Sequence, residues 1–145
     1  MGALTQGIRR DYRGASDRFD TPVKLAADVT LFVGGLVMYD NGYAKPCVPT
    51  AGAIFAGLVR YEDVNSIGKS DGEIQAVIIC PREIFIENDS VDETWIGVKI
   101  YATTDNDITT LVGTNNIEIG TGVEVVNAGG PYGKKGLWVR CKYLA

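Results

Sequence analysis

The chain has 145 residues, of which 18 are glycine and five proline, with 46% hydrophobic side chains and a net charge of −4. This is long enough for one domain with its own core and too apolar for a disordered chain, while the acidic balance offers no dense basic face for nucleic acid. The longest mainly apolar run, Val29 to Met38, is broken by Thr30, Gly34 and Gly35 and falls short of the roughly 20 residues that span a bilayer, so no membrane partner is expected.

Residues 1–24 differ from the rest. They hold five basic and three acidic groups, whereas the remainder holds nine basic and 15 acidic, and four of the seven arginines fall within the first 18 positions. Neither a 3.6 nor a 2.0 period is present, and Gly2, Gly7 and Gly14 disfavour a helix. The charged residues stand where a secretory signal would carry its apolar core, so no signal peptide is expected. Leu4, Ile8, Tyr12 and Phe19 interleave with Arg9, Arg10, Arg13 and Arg18. Apolar anchors beside guanidinium groups suit a segment that orders against a partner. The segment therefore reads as an extended arm on a single β-rich body domain of residues 25–145, with Thr21-Pro22 marking the boundary.

From Val23 onward the pattern is β almost throughout. Val23 to Val33 leads to the Gly34-Gly35 break and then to Leu36–Asp40, Asn41-Gly42 and Tyr43–Pro46, a hairpin with the dipeptide best suited to a two-residue turn. Strands are expected over Ile54 to Tyr61 and over Ile74 to Cys80, the latter apolar on both faces and hence central. A short helix is expected between Glu87 and Thr94, started by Asn88 or Ser90. In the next strand Ile96, Val98, Ile100 and Ala102 share one face, and Ile117, Ile119, Thr121, Val123 and Val125 alternate with Glu118 and Glu124. Leu137, Val139, Cys141 and Tyr143 face inward in a final strand. Nothing between the strands has the length of a crossover helix, so the fold is all-β, a small antiparallel sandwich or barrel, with a jelly roll among the topologies it admits.

Three landmarks recur at nearly one spacing. Gly35-Leu36-Val37-Met38-Tyr39 is echoed 62 positions later by Gly97-Val98-Lys99-Ile100-Tyr101, Gly57 lies 63 before Gly120, and Val77 lies 62 before Val139. The spacing admits two readings, a β unit used twice or the chance likeness of glycine-punctuated strands.

Chemistry is sparse. The chain has no histidine, so imidazole bases, the Ser-His and Cys-His nucleophile pairs and histidine metal sites are excluded. Cys47, Cys80 and Cys141 are odd in number and show no CxxC, which favours free thiols in a reducing cytoplasm over disulfides or a metal site. The acid pairs Glu62/Asp63, Asp92/Glu93 and Asp105/Asp107 are sequence neighbours, unlike the facing carboxyls of a glycosidase. Asp105-Asn106-Asp107 reads as a hairpin tip bonding its own backbone. Gly129 to Gly136, with Lys134 and Lys135, reads as a flexible loop rather than a phosphate cradle. No enzyme activity and no cofactor are expected.

The order of elements resembles the capsid cement, or head decoration, proteins of tailed bacteriophages. The resemblance lies in Val23 to Val29, in Gly35 to Tyr39 with its Ala44-Lys45-Pro46 exit, in Ala56 to Val59 and in Asp71-Gly72-Glu73. It continues in Ile96 to Ala102, Ile119-Gly120 and the closing Leu137-Trp138-Val139. It implies a virion protein made in the host cytoplasm that binds the outer surface of an assembled capsid and locks neighbouring major capsid subunits together. Its partners would be the major capsid protein and other copies of itself, as a homo-dimer or homo-trimer. Leu4, Ile8, Arg9, Arg10, Tyr12, Arg13, Arg18 and Phe19 are then the expected capsid-binding residues of the arm, ordering only on the capsid. The alternative is a small-ligand or glycan-binding β module, which would expose aromatics such as Trp95, Tyr101 and Trp138.

Overall fold

A computed structural model describes residues 2–14, 20–128 and 133–143. Its strands are β1 (Tyr12–Arg13), β2 (Thr21–Lys24), β3 (Thr30–Leu31), β4 (Leu36–Asp40), β5 (Tyr43–Pro46), β6 (Ile54–Val59) and β7 (Val64–Asn65). They continue with β8 (Gln75–Ile79), β9 (Glu83–Glu87), β10 (Lys99–Ala102), β11 (Ile108–Thr109), β12 (Ile117–Val126) and β13 (Gly136–Cys141). All ladders between them are antiparallel, and they form two main sheets in a sandwich-like arrangement. One runs β2-β8-β6-β4-β5, the other β1-β9-β13-β12-β10-β11, and β3 with β7 makes a small ribbon. The Asn41-Gly42 turn forms as the sequence indicates, with φ of 52° and 85°.

The two sheets are one unit used twice. Removing the edge strand β1 leaves the orders β2-β8-β6-β4-β5 and β9-β13-β12-β10-β11, which match strand for strand. Registers match as well. Thr21 opposite Ile78 corresponds to Ile84 opposite Val139, and Leu36 opposite Leu58 corresponds to Lys99 opposite Thr121. The offset is 63 residues for β2, β4 and β6 and 61 for β8, the latter because the second unit joins its last two strands by a shorter connection. Both copies carry a bulge at the same place, between Val37 and Met38 and between Ile100 and Tyr101. Outside the ladders, the bond from Gly34 N to Val59 O recurs from Gly97 N to Gly122 O, and that from Leu25 N to Ile74 O recurs from Asn88 N to Lys135 O.

Two of the three sequence landmarks are displaced by one. Gly57 and Gly120 are true equivalents, with φ of 148° and 158°. By contrast Gly97 matches Gly34 rather than Gly35, both near +80°, and Val139 matches Ile78 rather than Val77. A one-residue slip reverses every side chain in a strand, so the ladders decide the alignment where similarity of letters does not. Cys80 and Cys141 become equivalents in this alignment.

The first sheet is buried on both faces. Leu36, Met38, Phe55 and Leu58 join Ile84, Ile86, Ile100, Ile117, Ile119, Leu137 and Val139 of the second sheet in the larger core. The opposite face, with Val37, Ala56, Val59 and Ile78, packs with Leu25, Leu31 and Cys80 in a second core. Each such aliphatic side chain stabilises the fold by about 1.5–3 kcal/mol relative to exposure. The first sheet also curls until Leu25 bridges Ala44 in parallel, and Ala26 N donates to Ala44 O. In the second unit the equivalent closure is made by a side chain, since Asn88 Nδ2 donates to Asp107 Oδ1 and Ile108 O.

Other expectations shift. Strand β9 extends to Glu87, and the helical turn is a single 3₁₀ turn at Glu93–Trp95 capped by Asp92, while Asn88 Oδ1 accepts from Ser90 N in a local turn and its Nδ2 makes the closure. Ile96 and Val98 lie outside β10 and are exposed. The alternation of β12 breaks at the register shift between Gly122 and Glu124, after which Val126 faces Phe85 and Trp138. Thr21–Lys24, placed in the arm by composition, is a strand of the first sheet.

Candidate functional site

The N-terminal segment is laid across the seam between the two units. Leu4 N donates to Asp105 Oδ1 at 2.8 Å, and Ile8 N donates to Val33 O at 2.9 Å. Arg10 Nε donates to Gly34 O at 2.7 Å and its Nη2 to Asn106 Oδ1 at 2.9 Å. Gly34 permits this approach, since a Cβ there would stand 2.6 Å from Ile8 O. Farther on, Phe85 N donates to Asp11 O and Arg82 N to Gly14 O, so Tyr12–Arg13 adds a strand to the outer edge of β9.

Arg13 is the strongest fastening. Its Nε donates to Glu83 Oε1 at 2.7 Å, its Nη2 to Glu124 Oε1 at 3.0 Å, and its guanidinium carbon lies 4.0 Å from the centre of the Trp138 ring. Arg140 Nη2 reaches the other Glu83 oxygen at 2.9 Å. Burial disfavours the Glu83 carboxylate, yet the two guanidinium groups outweigh it and hold the pKa below the ordinary value. Asp105, which takes the other end of the segment, is buried, and desolvation pushes its pKa up against the opposing Leu4 N–H and Arg10. Burial lowers the Arg10 pKa to about 10 even though Asp105 and Glu87 favour its charge.

The expected arm residues therefore divide. Leu4 and Ile8 are half-buried against the body, and Arg10 and Arg13 are engaged with it. An arm ordering only on a partner is replaced by residues 2–14 ordered on their own body, because Asp105, Asn106, Glu83 and Glu124 supply the acceptors that a partner was expected to bring. Arg9, with a side chain 92% exposed, and Tyr12 face outward. Arg18 and Phe19 lie outside the described residues.

The remaining candidate groups are structural. Asp63 Oδ1 accepts from Val33 N, Asp92 caps its turn, and Asp107 Oδ1 accepts from Ile108 N. Asp105, expected to bond locally at a hairpin tip, instead reaches Leu4 across the molecule. Lys134 pairs with Glu87 at 3.3 Å, and Gly129 to Tyr132 of the same loop lie outside the described residues. Cys47 and Cys80 are buried; burial raises the Cys47 thiol pKa and pushes that of Cys141 up to about 12, so neither Cys47 nor Cys141 is a poised nucleophile. Among the described residues no group of three or more potential ligands is placed to hold a metal.

A second feature was not foreseen. The connections after β5 and after β11 are equivalent and meet at one end of the molecule, where Thr50 N donates to Asn115 O at 3.0 Å. They display Val48 and its counterpart Leu111, with Val112, the last two exposed by 69% and 61%. The sequence signal was an aliphatic pair, Leu111-Val112, isolated between turn-forming residues. Trp138, by contrast, is buried beneath Arg13 and beside Phe85. The chain matches no family model, no curated protein and no solved structure.

Proposed function

We propose that this chain is a structural binding protein rather than an enzyme, and specifically a cement protein of a tailed-phage head that docks on the outside of the capsid. The observation that carries a protein-binding role is the apolar end formed by Val48, Leu111 and Val112. Aliphatic side chains exposed on two equivalent, mutually bonded loops suit burial against another protein surface. The element order that resembles head decoration proteins supplies the identity of that surface, the major capsid protein. Among the described arm residues, Arg9 and Tyr12, outward on the strapped segment, are left for such a contact. Burial of Trp138 beneath Arg13 weighs against the glycan-binding alternative. Many copies side by side on a shell would add avidity to a modest single contact.

The test is co-sedimentation with empty tailed-phage capsids of the full chain and of a Leu111→Asp, Val112→Asp double variant. Saturable binding by the full chain, lost in the variant, supports the reading. Failure of the full chain to sediment with capsids would overturn the capsid assignment.

A further inference from the structure

We propose that copies of this chain join head to tail, the Asn41–Gly42 turn of one copy docking on the open edge of β10 in the next. The template is a contact that already joins the two units within one chain. Leu36 N donates to Asp105 O at 2.9 Å, so the hairpin tip of the second unit, Thr104 to Asn106, closes the outer edge of β4 in the first. Cys47 N donates to Leu36 O at 2.9 Å and completes that closure.

Strand β10 presents the same edge one unit later. Gly97 N donates to Gly122 O and Gly122 N to Val98 O, as Gly34 N does to Val59 O and Val59 N to Gly35 O, so Lys99 stands where Leu36 does. These bonds lie on the β12 side and leave the Lys99 N–H and C=O turned to the β11 side. The β10–β11 ladder has ended by then, at Tyr101 opposite Thr109, and Leu111 N is taken by Thr109 Oγ1. Among the described residues neither backbone group of Lys99 has a hydrogen-bond partner. Beside them Ile96 and Val98 are exposed by 44% and 38%, and Gly97 is exposed where Gly34 is buried. Unpaired strand groups next to exposed aliphatic side chains are a template for another chain.

The chain also carries the matching half. Asn41–Gly42 is the two-residue equivalent of the Thr104 to Asn106 tip, since Asp40 opposite Tyr43 corresponds to the bond from Thr103 N to Asp107 O. It is exposed, and a Cβ at Gly42 would meet nothing within 4 Å. An edge without a tip and a tip without an edge are the two halves of one contact. They sit on different units and make no bond to each other, so a second copy is what brings them together. Repeat proteins grow through such successive contacts, and a heterologous contact closes into a ring or extends as a filament according to its rotation. Asp105 is also held through its side chain by Leu4 N, an anchorage that Gly42 lacks, so the contact between copies is weaker than the one within the chain. The inference does not rest on the capsid reading.

The test is sedimentation velocity of the full chain at concentrations up to about 0.5 mM, beside an edge variant, Val98→Lys, and a tip variant, Asn41→Lys. Both positions are exposed, and amide spectra of the dilute variants check that each keeps the fold. The full chain should self-associate, and each variant alone should do so at least about tenfold more weakly. An equimolar mixture of the two should recover a complex of two chains and nothing larger, because one variant keeps its tip and the other its edge. A full chain that stays monomeric, association unchanged in either folded variant, or a mixture that recovers no two-chain complex would overturn the proposal.

Discussion

The two β units share topology, register and bulges, yet the N-terminal segment covers the outer edge of one, while no described residue covers that of the other. On β9 the position facing the edge is Phe85, whose N–H bonds Asp11 O; on β2 it is Pro22, which has no N–H to offer. On β9 the entering acid, Glu83, is shared between Arg13 of the N-terminal segment, on Oε1, and Arg140, on Oε2; on β2 the entering acid, Asp20, is served within the first unit by Arg60 and Tyr61. A duplicated fold can thus be made asymmetric by a few edge residues while its core repeats.

The largest expected effect falls where the units are most alike. A Cβ at Gly120 would stand 1.9 Å from Arg140 O, and one at Gly57 would stand 2.5 Å from Ile79 O. Both sites have a φ that disfavours side chains, so Gly120→Ala should lose about 4 kcal/mol and Gly57→Ala about 3 in urea titrations. Equal and negligible losses would break the equivalence of the two units.

The acids come next. Glu83→Gln should cost about 2 kcal/mol, because two guanidinium groups lose their charged acceptor, whereas Asp20→Asn, whose pairing with Arg60 is more exposed, should cost under about 1. The Glu83 pKa is lower folded than unfolded, so its stabilisation is complete above the unfolded value and is lost as pH falls through the folded one. Below pH 4.5, the ordinary value, the wild-type chain should therefore lose stability more steeply than Glu83→Gln. Thermal melts across pH 3 to 7, roughly the carboxylate range, check this.

Pro22→Val sharpens the edge comparison. It restores an outward N–H on β2, and light scattering should show stronger concentration-dependent self-association than that of the full chain, with stability changed by only about 0.5 kcal/mol. Arg9→Ala should be smallest, within about 0.5 kcal/mol, since its side chain points to solvent.

Much of this architecture was legible in the sequence because it rests on local signals. Asn41-Gly42, the alternation at Ile117 to Thr121 and the recurrence of Gly57 at Gly120 report turn geometry, pleat and close backbone approach directly. The one-residue displacement of Gly97 was not legible, since only the ladders distinguish Gly34 from Gly35. Nor was the seat of the N-terminal segment. Arginines interleaved with apolar residues pointed to a partner's surface, whereas Asp105 and Glu83, some 100 and 70 residues away from Leu4 and Arg13, become acceptors within the chain only through the fold. The exposed pair Leu111-Val112 looked like any short aliphatic run until its loop was seen at an end of the molecule.

The most direct measurement is amide hydrogen exchange of the full chain, comparing the two edges. Phe85 and Arg82 N–H groups, bonded to Asp11 O and Gly14 O, should exchange slowly, and the Lys24 N–H, which alternates outward from β8 beside the Leu25 N to Ile74 O bond, should exchange fast. Fast exchange at Phe85 and Arg82, or protection at Lys24 matching theirs, would contradict the account of one duplicated unit whose edge its N-terminal segment covers and another whose edge no described residue covers.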